Sequence, residues 1–189
     1  MRKIIVFNLI TLDGFFAGPS GELDWHNVDD EFQKWMHKRI QATPFGTLIF
    51  GRTTYELMAN FWPTPRARGQ DPITANYMNT TPKIVYSKTM EKITDRPHWK
   101  NITVLYEIKP EEIHKLKSQQ GRDIGIFGSG TIIQQFTNLG LIDEYQLLLN
   151  PIVLGAGKPM FKDFKKMGLK VLEMRSFKNG NVLLRYEPK

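Results

Sequence analysis

The sequence predicts an α/β fold, a mostly parallel sheet flanked by helices with an antiparallel β-hairpin at its C-terminal end. Three observations lead there. Short apolar runs alternate with segments of helical spacing along most of the chain, the order that β-α-β units produce. The first run, residues 3–10, is dense in Ile, Val and Phe, as a strand buried on both faces should be. The last two runs flank Asn179-Gly180, a pair suited to the positive φ of a two-residue hairpin turn.

Asp13-Gly14 breaks the first strand. Over residues 29–42, Phe32, Trp35, Met36 and Ile40 recur at helical spacing, and Asp29 and Asp30 suit the helix start. A strand over 47–50 runs into a helix that continues to about Asn60. Residues 61–82, rich in Pro and polar side chains, are expected to form a long loop, with room for a short helix starting at Asp71-Pro72. Strands follow at 83–87 and 102–106, then a surface helix at 110–118 and a strand at 123–127. A helix from Thr131 to Leu139 and a long strand at 141–149 precede the hairpin. No linker or repeat divides the 189 residues, so 1–189 reads as a single domain.

The net charge of +7 would suit nucleic acid, acidic lipid or a polyphosphate cofactor, but no run of five basic residues occurs, so the charge reads as a solvated basic surface. The absence of cysteine excludes disulfides, thiol nucleophiles and Cys-based metal sites; it fits a reducing compartment, and the cytoplasm is the expected location. His26, His37, His98 and His114 show neither HxH nor HExxH spacing, so no metal site is expected. Asn8, Thr11 and Asp13 interrupt the apolar start, which reads as a strand rather than a signal peptide. No apolar run has the length of a membrane span.

Two strand–glycine–helix junctions carry the chemistry. In TLIFGRTTYE the first helical amides lack partners and the helix dipole favours an anion. Gly51 allows close approach, Arg52 offers a planar fork, and Thr53 and Thr54 add hydroxyls. The second junction, IGIFGSGT, supplies Gly128, Ser129, Gly130 and Thr131; it lacks the third glycine of the dinucleotide fingerprint, whose place is taken by Ile133. Together they would hold a pyrophosphate between two helix N-termini. Ser87, Lys88 and Thr89 present hydroxyl, ammonium and hydroxyl, a set suited to a phosphate monoester. With Arg52 they favour the 2′-phosphate of NADPH over the bare ribose of NADH. Each piece also has a plainer reading: Thr53 as a helix cap, Gly51 as a turn, 87–89 as a polar loop.

In order along the chain, TLDGFFAG, FGRTTYE, PKIVYSKT, IGIFGSGTIIQQF, LIDEYQLLLNPIVLGAGKPMF and the closing hairpin resemble the dihydrofolate-reductase-like family. Asp143-Glu144, Pro151, Gly155, Gly157 and Phe161 place the resemblance in the branch of the C-terminal reductase domain of the bifunctional riboflavin-biosynthesis deaminase/reductase, here in stand-alone form. The resemblance implies a dihydrofolate-reductase-like fold, an NADPH-dependent reductase acting on a small pteridine- or pyrimidine-ribosylamine-like heterocycle, and a homodimer. It also implies that Gly51, Arg52, Thr53 and Thr54 meet cofactor phosphates, that Ser87, Lys88 and Thr89 line the 2′-phosphate end, and that Gly128, Ser129, Gly130 and Thr131 cradle the pyrophosphate.

Hydride transfer needs no protein nucleophile, so only an anchoring or proton-donating acid is sought. Asp13, just after the first strand, resembles an aspartate at the substrate of riboflavin-type reductases; its plainer role is the Asp-Gly turn. Asp30, at the start of the first helix, lies roughly where dihydrofolate reductases carry their substrate acid; its plainer role is capping. Phe15, Phe16, Trp25, Phe61 and Trp62 are candidate walls for a flat heterocycle, or core. Two other functions stay open: an NADPH-binding protein without turnover, and a basic nucleic-acid-binding module. With a small-molecule substrate as partner, neither nucleic acid nor membrane is expected.

Overall fold

The computed structural model describes residues 1–90, 93 and 97–189. Among them, eight strands form one sheet. They are β1 (Ile4–Thr11), β3 (Thr47–Gly51), β4 (Lys83–Tyr86), β5 (Ile102–Leu105), β6 (Ile124–Phe127), β7 (Glu144–Asn150), β9 (Leu169–Ser176) and β10 (Val182–Pro188), in the order β5-β4-β3-β6-β1-β7-β10-β9. The ladders from β5 through β7 are parallel. Those of β10 with β7 and with β9 are antiparallel. The mixed, mostly parallel sheet with its C-terminal hairpin is therefore present. β1 lies at its centre, and its burial on both faces explains the unbroken apolar run.

Side chains alternate across the sheet and build one core on each face. Ile4, Val6, Ile49, Ile126 and Leu147 pack against Ile133 and Phe136 of α6 (Gly130–Asn138) and Ile113 of α5 (Pro110–Ser118). On the other face, Ile5, Phe7, Leu48, Phe50 and Leu148 meet Phe32 of α1 (Asp30–Ala42) and Tyr55 and Ala59 of α2 (Arg52–Phe61). Burying a side chain such as Phe136, wholly shielded from solvent, contributes about 1.5–3 kcal/mol relative to exposure.

The structure corrects the sequence expectation at three places. The expected loop over 61–82 is mostly helical: the short helix foreseen at Asp71-Pro72 is present as α4 (Pro72–Thr80), and α3 (Pro65–Gln70), not anticipated, precedes it. Both prolines stand in the first helical turn, where a missing N–H costs nothing, and the preceding Thr64 and Asp71 accept from Ala67 N and Thr74 N. The strand expected from Leu141 begins at Glu144, because Asp143 N bonds Ile4 O and its carboxylate takes Ile4 N and Lys117 Nζ. A two-stranded ribbon of β2 (Phe15–Ala17) and β8 (Lys158–Pro159) was not anticipated; each strand is too short to show a period.

Candidate functional site

β3 and β6 are neighbours, yet the helices that follow them lie on opposite faces of the sheet, α2 with Phe50 and α6 with Ile49. Such a divergence opens a crevice outside the carboxyl ends of the strands. A cavity of about 400 Å³ occupies that place. Phe7, Asn8 and Leu9 of β1 form its floor, with Thr53, Thr54, Leu57 and Met58 on one side and 127–131 on the other.

The two glycine junctions pack against each other. A side chain at Gly51 would overlap Ser129 Oγ, and a Cβ at Gly128 would lie 2.9 Å from Thr54 Oγ1 and Cγ2. A Cβ at Gly130 would come within 2.8 Å of the Phe16 ring, which β2 brings over the crevice. Gly128 and Ser129 are left-handed, at φ 58° and 60°, and Gly128 N donates to Asn8 Oδ1 at 2.7 Å. The glycines thus let two helix N-termini approach closely. Neither terminus carries a side-chain cap or an acidic residue in its first turn, whereas α1, α3 and α4 are capped by Asp29, Thr64 and Asp71. Two sets of first-turn amides without acidic competitors flank one cavity, an arrangement fitted to an anionic ligand.

The residues expected at the site fall into three places. Thr53, Thr54, Gly128, Ser129, Gly130 and Thr131 line the cavity, and Gly51 lies beneath it as the residue before α2. Arg52 and Thr89 come together next to it, across 37 positions of sequence: Arg52 Nη1 donates to Thr89 Oγ1 at 2.8 Å while Nε holds Glu56 at 2.8 Å. Ser87 is buried, and its Oγ accepts from Thr89 N and Met90 N; Lys88 is exposed, 6.0 Å from the Tyr106 ring centre. The two acids stand apart from the cavity lining. Asp13 accepts from Thr11 Oγ1 at 2.6 Å, Leu154 N at 3.1 Å and Gly155 N at 2.8 Å, tying the turn after β1 to the segment before β8. These bonds, the Thr11 hydroxyl first, hold its carboxyl below the usual carboxylate range. Asp30 is exposed on the first turn of α1, and the cap itself is Asp29, which accepts from Phe32 N at 2.9 Å.

Of the candidate aromatic walls, Phe16 lines the cavity. Trp25 is buried beside it with Nε1 on Glu22 O, Phe61 is largely exposed, and Trp62 Nε1 rests on Met58 Sδ. The sequence reading missed three polar lining residues: Asn8, His26 and Lys158. Asn8 is buried, with Nδ2 on Met160 Sδ, and an amide inside IIVFNLIT was the visible signal. His26 Nε2 is buried without a partner among the described residues, and burial pushes the imidazole down to about 4, so the ring is neutral at pH 7. Lys158 brings one cation to the mouth, near Gly21, through the unanticipated ribbon.

Residues 2–183 match the RibD C-terminal domain family. The chain is 34% identical over 192 residues to the uncharacterized protein YyaP of Bacillus subtilis (strain 168), covering 98% of this chain and 94% of that one. A protein from Shewanella sp. PV-4 named for riboflavin biosynthesis has a solved structure that superposes with a TM-score of 0.74 at 25% identity, over 100% of this chain and 99% of that one. The Thermotoga maritima diaminohydroxyphosphoribosylaminopyrimidine deaminase/5-amino-6-(5-phosphoribosylamino)uracil reductase shares the fold with a TM-score of 0.67 at 17% identity; all of this chain corresponds to 57% of that one. No helix among the described residues is long and apolar enough to cross a membrane. On the match across its length, the chain belongs to the RibD C-terminal domain family.

Proposed function

We propose that the chain is an NADPH-dependent reductase that delivers a hydride to a small pteridine- or pyrimidine-ribosylamine-like heterocycle, of the kind of 5-amino-6-(5-phosphoribosylamino)uracil. The observation that carries this reading is the pair of uncapped, acid-free helix N-termini facing one crevice. NADPH, when bound, supplies the hydride. The first amides of α2 and α6, with the hydroxyls of Thr53, Thr54, Ser129 and Thr131, would hold its pyrophosphate, as Gly51, Gly128 and Gly130 keep the two turns in contact. Arg52, Lys88 and Thr89 would take the 2′-phosphate, on a loop whose backbone Ser87 fastens. Phe16, Leu57 and Met58 keep water from the reacting face, and neutral His26 offers Nε2 to the polar edge of the heterocycle. Asp13 acts as a positioning residue, through the loop it binds.

A fluorescence titration of NADPH and NADH tests the assignment. NADPH is expected to bind more tightly, and Arg52→Ala to weaken it about tenfold with NADH little changed, the loss of one charged hydrogen bond. Equal affinity for the two cofactors would remove Arg52 and Lys88 from the site. NADPH oxidation against pteridines, pyrimidine ribosylamines and quinoid compounds then tests turnover. Binding with no oxidation across the panel would replace the reductase by an NADPH-binding protein.

We also propose a homodimer. Beyond the helices, the sheet face that carries Leu147 continues through Leu184 to Met174 on the edge strand β9. There Met174 is 67% exposed and Val171 49% exposed, an apolar area that a second copy would cover.

A further inference from the structure

A second, larger cavity of about 700 Å³ lies at the other end of the sheet, between the last turns of α1 and the start of β1. It sits on the α1 face, so it is separate from both the glycine crevice and the apolar face of β9. Its chemistry is polar, with five cationic side chains against three carboxylates. The carboxylates are already engaged. Arg185 holds Glu144 and Glu173 at 2.7 Å each, Gln146 Nε2 donates to Glu144 at 2.6 Å, and Asp123 accepts from Lys3 N at 2.7 Å.

Two groups facing this cavity lack what their chemistry calls for. Arg39 lies over the rings of Phe7 and Phe45, each 5.0 Å from its guanidinium carbon, and 5.6 Å from that of Trp35. Among the described residues no carboxylate is in ion-pair contact with it. Rings that strip water from a guanidinium leave its planar fork to be met by an oxyanion. Burial, with Arg185 nearby, pushes Arg39 down to about 10, although Tyr77, Glu144 and Glu173 act in the opposite direction. Gln146 is only 4% exposed, yet its Oε1 has no partner among the described residues. A buried acceptor of that kind calls for an N–H or O–H donor.

We propose that this cavity is a second ligand site, for a small organic phosphate or carboxylate that also carries a hydroxyl or N–H donor. The oxyanion pairs with Arg39, supported by Lys38 on the exposed side of α1, and the donor reaches Gln146 Oε1. Sulfate, which carries no O–H at neutral pH, satisfies the first group alone and neutral polyols the second alone. The site therefore selects molecules that join the two.

Calorimetric titration of the purified chain with glycerol 3-phosphate, sulfate and glycerol tests this. Glycerol 3-phosphate is expected to bind more tightly than either of the other two, and saturating NADPH to leave that binding unchanged. Arg39→Met should weaken it roughly ten- to a hundredfold, as loss of a charged hydrogen bond does. Gln146→Met should bring glycerol 3-phosphate down to the affinity of sulfate. Lys38→Ala, at an exposed position, should weaken binding several-fold with an unchanged unfolding midpoint, and it decides the matter should Arg39→Met fail to fold. No heat from glycerol 3-phosphate, displacement by NADPH, or full affinity in both Arg39→Met and Lys38→Ala would overturn the proposal.

Discussion

The carboxylate of Asp13 is committed to its own fold: a hydroxyl and two backbone amides point at it. Its folded-state pKa lies below the ordinary value, so its contribution to stability is complete above pH about 4 and is lost as acid passes through the lower folded value. Asp13→Asn should therefore lower stability most above pH about 4, where that contribution is complete, and so flatten the acid limb of a urea-unfolding series; an unchanged acid limb would deny it this role. The sequence made Asp13 visible and hid its partners, because Leu154 and Gly155 are brought to it by the pairing of β1 with β7, which ends with Thr11 beside Asn150 and continues in Leu12 N on Ile152 O. The glycines show the same limit. As sequence they read as room for a ligand. In the structure Gly128 is also held to a positive φ and faces Thr54, so Gly128→Val would disturb the turn with or without a ligand. His26 and Lys158 carried no local signal at all: a lone imidazole and a lone lysine acquire meaning only when distant segments meet.

Periodicity located α1, α5 and α6 to within a residue or two of their observed ends, because each has an apolar stripe against a broad core. It was silent over 61–82, where α3 and α4 are too short for a stripe to repeat: composition suggested a loop in place of α3, and α4 was foreseen only from its Asp71-Pro72 start. What starts them is chemistry rather than pattern, a capping oxygen followed by proline. Asp71→Ala should cost about 1–2 kcal/mol in urea unfolding, since its carboxylate caps Thr74 and also meets His37 Nε2 at 2.8 Å. Thr64→Ala, removing a single capping bond from a six-residue helix, should cost less, about 0.5–1 kcal/mol. Equal costs would show that the His37 contact adds nothing. The junctions after β3 and β6 were legible for a related reason: glycine followed by hydroxyls marks a helix N-terminus whatever lies around it. That the two would touch depends on β3 pairing with β6, Thr47 beside Ile124 from far along the chain, which no local pattern records.

At the scale of the whole molecule, the edge strand β9 presents exposed apolar side chains, Val171 and Met174, on one face of the sheet. Met174→Asp places a charge in the middle of β9, opposite Leu184, without touching the cavity residues. If two copies associate there, sedimentation velocity should show the variant as monomer where the native chain is dimer, with the unfolding midpoint of the isolated chain little changed. A dimer that persists in Met174→Asp would move the interface elsewhere. The order of strands has a further effect, on synthesis. The central strand, β1, is the first to leave the ribosome, and its neighbours begin only at Ile124 and Glu144. At about 5–20 residues per second the first neighbour follows on the order of ten seconds later. Throughout that interval the eight-residue segment IIVFNLIT has both edges unpaired, and the face that α6 will cover stays unmet. Any pause in translation between these points lengthens the exposure of the very strand the finished molecule hides best, which makes the nascent chain, rather than the folded one, the form most dependent on a chaperone.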